Sequence, residues 1–141
     1  MAEVVFDSGI RSLDIRDDAG HSVTISYNPY DVLFLGGLMD AAEKLDAEQT
    51  RLQSMPTDDW RKVYRAAMDA DKVMKGVLDE AFGAPVCEAL FPHQTVHAIG
   101  NGLPAWANLL YAVIDSMDAG MEAEKSKAQE RIRKYSAKYR R

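Results

Sequence analysis

Ile10-Arg11-Ser12-Leu13-Asp14-Ile15-Arg16-Asp17-Asp18-Ala19-Gly20-His21-Ser22-Val23-Thr24-Ile25-Ser26-Tyr27-Asn28-Pro29 sets the architecture of this chain. Ile10, Ser12, Asp14 and Arg16 alternate with Arg11, Leu13 and Ile15, and Val23, Ile25 and Tyr27 alternate with Ser22, Thr24 and Ser26. Period-two alternation rich in β-branched residues predicts two strands. Asp17-Asp18-Ala19-Gly20 supplies the turn, with Gly20 free to take positive φ. Leu13, Ile15, Val23, Ile25 and Tyr27 then form one apolar side of a hairpin over residues 10–27. A lone two-stranded hairpin is marginal in water, so that side must lie on helices or on another chain.

Downstream of the hairpin the period changes from two to 3.6. Asn28 is placed as N-cap, Pro29 at the first helical position and Asp31 near the positive end of the dipole. Val32, Leu35, Leu38, Met39, Ala42 and Leu45 follow helical spacing, interrupted by Gly36-Gly37, which reads as a close approach, a kink or a hinge. Thr57, followed by Asp58 and Asp59, is expected to cap a second helix. Trp60, Val63, Tyr64, Ala67, Met74, Val77, Leu78, Ala81 and Phe82 give it a long apolar face, and Gly83 suits its stop. A short helix over Pro85 to Phe91 and a loop over 92–103 follow. Pro104 opens a last helix whose stripe comprises Trp106, Leu109, Leu110, Val113, Ile114, Met117 and Met121. The expected fold class is α+β, mainly α: an N-terminal β-hairpin followed by a bundle of about four helices.

Charge divides the chain differently. From Lys125 to Arg141 eight Lys or Arg face one acid, Glu130, a segment charge of +7, while the other residues sum to −12. An acidic body with a basic helical end suits docking onto other proteins better than enclosing a small substrate. The domain reading is therefore a flexible N-terminus over 1–9, one globular domain over 10–121 and a basic helical tail over 122–141. At 141 residues one core can form without metals or disulfides. The single cysteine, Cys87, excludes an internal disulfide and fits a reducing compartment. The N-terminus lacks a basic start and a long apolar run, and no stretch approaches the roughly 18 apolar residues of a membrane span. A cytoplasmic, soluble chain is expected.

Catalytic signatures are not legible. Cys87, His93 and His97 are the residue types of a zinc site, but Pro92 and the surrounding loop forbid the i, i+4 helical geometry, and no fourth ligand is placed nearby. The carboxylate pairs Asp58-Asp59, Asp69/Asp71 and Asp79-Glu80 are assigned to a cap or to a polar helix face rather than to one cleft. Gly100-Asn101-Gly102 follows no strand and makes no phosphate cradle. Tyr135 and Tyr139, i, i+4 in the basic tail, suit stacking on bases or packing on a helix, but the acidic body opposes a nucleic-acid backbone. No catalytic residue, cofactor or metal is expected.

Three further pieces, Asp79-Glu80-Ala81-Phe82-Gly83, Cys87-Glu88-Ala89-Leu90-Phe91 and Gly102-Leu103-Pro104-Ala105-Trp106-Ala107-Asn108-Leu109-Leu110, carry a resemblance. Together with the hairpin closing on Tyr27-Asn28-Pro29 and the ending Arg131-Ile132-Arg133-Lys134-Tyr135-Ser136-Ala137-Lys138-Tyr139, they resemble a family of small proteins from tailed bacteriophages and prophages, the tail assembly chaperones of siphophages. The resemblance implies a non-catalytic role in the bacterial cytoplasm during phage assembly. The implied partners are the tape measure protein, the tail tube protein and further copies of the chain, with neither nucleic acid nor membrane. A structural virion component, such as a head–tail completion or tube-associated protein, is the alternative expectation. The residues expected to bind partners are Met117, Met121, Lys125, Arg131, Arg133, Lys134, Tyr135, Lys138 and Tyr139.

Overall fold

The computed structural model describes residues 2–139, apart from the side chains of 118, 119, 122 and 135–139. Strands β1 (Arg11–Arg16) and β2 (Ser22–Tyr27) pair antiparallel, with Leu13 opposite Ile25 and Ile15 opposite Val23. Directly opposed residues share a face, so this register gathers the apolar side chains on one side, as the alternation requires. The turn is held by Asp17, whose carboxylate accepts from the amides of Ala19 (2.9 Å) and His21 (2.8 Å) and meets the His21 ring at 2.7 Å. Ile25 is fully buried, and β2 lies against the short helix α3 (Val86–Leu90).

Helices α1 (Val32–Gln53) and α2 (Trp60–Phe82) run antiparallel. Phe34, near the start of α1, bridges Tyr27 of the hairpin and Phe82 at the end of α2, at ring centroid distances of 4.5 and 6.2 Å. The core of this pair comprises Leu38 and Leu45 from α1 with Met74 and Leu78 from α2. Each is almost free of solvent exposure, a burial worth about 1.5–3 kcal/mol per side chain. Helix α1 passes unbroken through Gly36 and Gly37.

Both helix starts lie further along the chain than the capping pattern suggests. Asp31, not Asn28, caps α1 by accepting from the Leu33 amide at 3.0 Å. Asn28 instead accepts from the Tyr30 amide and donates to the Ser8 carbonyl, which fastens the end of the N-terminal segment beside the hairpin. Asp59, not Thr57, caps α2, accepting from the amides of Arg61 and Lys62. Asp matches Asn and Ser as a cap, and here the residue nearest the first helical amides wins. Gly83 ends α2 in the left-handed region at φ 64°, as expected of that stop.

The segment expected to be a plain loop contains a miniature hairpin, β3 (Ile99–Gly100) paired with β4 (Leu103–Pro104). Its two-residue turn, Asn101-Gly102, has φ values of 54° and 79°. Asn-Gly is the residue pair that tolerates positive φ at both positions of such a turn. Helix α4 begins at Ala105, one residue after the expected Pro104, and runs to Tyr139. Its first amides are satisfied by the strand–loop segment: Ala105 donates to the Ala98 carbonyl and Trp106 to that of Val96.

The chain divides into two units, one ending at Leu110 and one starting at Tyr111, inside α4. In the first unit Trp106 is buried and donates its indole N–H to Gln49 at 3.1 Å, which satisfies the one polar atom that such a large core residue brings inside. Among the described residues, no helix is long and apolar enough to cross a membrane.

Candidate docking surface

One side of α2 explains what the first unit can expose. Ala67, Asp71, Lys75 and Asp79 recur every four residues along one helical face. The three charged side chains hold the backbone of the segment that returns past α2, and Ala67 meets a side chain of it. Asp79 accepts from the Cys87 amide (2.9 Å), Lys75 donates to the Phe91 carbonyl (3.3 Å), Asp71 accepts from the Val96 amide (2.8 Å), and the Ala67 carbonyl meets the His97 ring (3.0 Å). Asp71 and Lys75 are also paired with each other at 2.9 Å. Residues 87–97 are thereby laid along α2 in fixed register. Asp71, read from sequence as a polar-face residue, is 5% exposed, and its burial is compensated by the Val96 amide and the Lys75 charge. Cys87 and His97, the residue types of a metal site, are engaged in this ladder, the thiol contacting the Lys75 carbonyl. Burial pushes the Cys87 thiol well up from its ordinary value, and the nearby Asp79 charge adds to it.

The ladder stops at Ala67, and α2 continues two turns further toward its N-terminus. Trp60 and Tyr64, which open the apolar face of this helix, are 72% and 61% exposed, followed one turn later by Met68. Their spacing faces them correctly toward a core, but the covering segment does not reach them. Arg61 lies over the Trp60 ring, 5.5 Å from its centroid. Exposed aromatic and methionine side chains edged by arginine match the composition of protein-binding surfaces. Sequence periodicity alone reports which face is apolar, not which part of it is covered.

A second feature is a groove of about 580 Å³ between the two long helices. Leu33, Gly37, Asp40, Ala41 and Lys44 of α1 line one wall, and Val77, Glu80 and Ala81 of α2 the other. Its floor is formed by small residues, so another backbone can approach closely. A third, more polar recess of about 820 Å³ lies between the hairpin turn and the β3–β4 loop, lined by residues that include Asp17, His21, Gln94, Asn101 and Asn108. The Asp17–His21 pair there has no hydroxyl or thiol among the lining residues to activate. Hydrogen bonding to His21 and to the turn amides holds the Asp17 carboxyl below the usual range against a smaller opposing effect of burial. Among the described residues no cluster of three or more His, Cys, Asp or Glu is arranged to hold a metal, and every buried side-chain polar atom has a partner.

The residues expected to bind partners fall along α4. Met117 is buried, whereas Met121 is 40% exposed. Lys125, Arg131, Arg133 and Lys134 are exposed, and Ile132 among them is 65% exposed. The side chains of Tyr135, Lys138 and Tyr139 lie outside the described residues. Trp60, Tyr64 and the groove are exposed features that the sequence reading did not single out as binding residues. The arginines interleaved at Arg61 and Arg65 were the available signal.

Comparison with known protein families, curated proteins and solved structures finds no match for this chain.

Proposed function

We propose that this protein is a non-catalytic assembly chaperone that holds a helical client protein, acting as the siphophage tail assembly chaperones it resembles act on the tape measure and recruit tail tube subunits. The observation that carries this reading is the exposed Trp60, Tyr64 and Met68 face on a unit whose core is otherwise filled. Amphipathic helical clients need such a surface: large, adaptable apolar side chains with a polar rim. The basic end of α4 adds electrostatic guidance toward acidic partners. The role is transient, in the bacterial cytoplasm during particle assembly.

The test is affinity capture of the tagged protein from induced, phage-producing cells, with purified virions probed in parallel. Co-purification of tape measure or tube protein, with this chain missing from virions, is the expected result. Presence in virions would make it a structural component instead, and absence of any phage partner would remove the reading. Trp60→Ala combined with Tyr64→Ala should reduce client capture at least tenfold while leaving the thermal transition in place.

A further inference from the structure

We propose that the groove between α1 and α2 receives the basic C-terminal segment of α4 from a second copy of this chain. The groove extends from Leu33 to Lys44 along α1, about 16 Å or three helical turns at 1.5 Å per residue. Its floor of Gly37, Ala41, Val77 and Ala81 is apolar and small, so a helix can lie close to both walls. The walls carry two carboxylates, Asp40 on α1 and Glu80 on α2, against one ammonium, Lys44 on α1.

The end of α4 has the complementary pattern. Ile132 is exposed, and one turn earlier Ala128 shares its helical face. Arg131 and Arg133 flank Ile132 on opposite sides, since neighbours on a helix diverge by about 100°. A seam with a base on each side meets a floor of small residues whose walls hold two acids and one base. The same complementarity holds for the whole chain, +7 in the last seventeen residues against −12 in the rest. Like-charged tails repel one another, which disfavours a tail-to-tail coiled coil and favours tail-to-body contact. Groove and tail are different surfaces. The contact is therefore heterologous, closing when two copies exchange tails and extending when they do not.

Further copies of the chain are among the partners the resemblance implies. The new element is the pair of surfaces that joins them, and its test needs no client, so it can fail while the chaperone reading stands. Sedimentation velocity of the full chain at about 100 μM should show oligomers that dissociate toward monomer as NaCl rises from about 50 to 500 mM. Asp40→Lys with Glu80→Lys should be monomeric, and so should Arg133→Glu with Lys134→Glu. Mixing these two variants should restore association, since each then offers the groove or the tail that matches the other. Ile132→Asp, at an exposed position that leaves folding intact, should also be monomeric. Circular dichroism verifies that each variant folds. A monomeric wild type, variants that associate like the wild type, or no rescue on mixing would each overturn the proposal.

Discussion

Asp71 is where the sequence reading and the folded protein part most sharply. An acid in a run of alternating charges reads as a solvated helix position, yet here it terminates the Val96 amide and neutralises Lys75 inside the protein. Asp71→Ala should cost about 2–3 kcal/mol in urea unfolding, because a buried amide loses its acceptor and a part-buried ammonium keeps only the Phe91 carbonyl. Asp71→Asn, which keeps an acceptor, should cost less. The two tryptophans make a paired test. Trp106→Ala should cost about 3–5 kcal/mol, since it empties a core position and leaves Gln49 unsatisfied. Trp60→Ala should stay within about 0.5 kcal/mol, as expected of a surface position. Cys87 provides a chemical reporter: with its thiol buried and its ionisation pushed up, it should react with aromatic disulfides at neutral pH only after denaturant is added.

At the scale of elements, short polar residues decide where each helix and turn begins. The Asp17 carboxyl is held below the ordinary range by its bond to His21 and by the turn amides, so its folded value lies under its unfolded one. The turn is therefore tightest above the unfolded carboxylate range and loosens as pH falls through the folded value. The amide resonances of Ala19 and His21 should titrate together with a midpoint below that of an ordinary aspartate, and Asp17→Asn should abolish the titration. Gly83 sits in the left-handed region where a Cβ is unfavourable, and Gly83→Ala should destabilise by about 1 kcal/mol in thermal unfolding. The β3–β4 turn was equally legible in principle: Asn101-Gly102 is a hairpin signal. Its strands are only two residues each, too short to show any alternation.

At the scale of the molecule, the division at Leu110 places the hairpin, α1, α2, α3 and the start of α4 in one unit with its own core. Deleting Lys125 to Arg141 should leave a single cooperative thermal transition and abolish association between copies. Loss of that transition would show that the basic segment belongs to the fold. Charge asymmetry is what makes the last segment separable in function. Acidic surface and basic helix can be joined in one chain because helix propagation needs only local hydrogen bonds, whatever the helix later contacts.

The N-terminal hairpin, the order of the helices and the charge division were legible in the sequence, because each follows from local chemistry: alternation, turn residues, glycine stops and side-chain charge. Tertiary structure alone decided that Asp71 is interior and that Trp60 and Tyr64 are at the surface. Periodicity marks a face of α2 but carries no information on how far residues 87–97 extend along it. That distance is set by which backbone groups of a segment remote in sequence find partners on the helix, and it leaves the N-terminal turns of α2 available for binding.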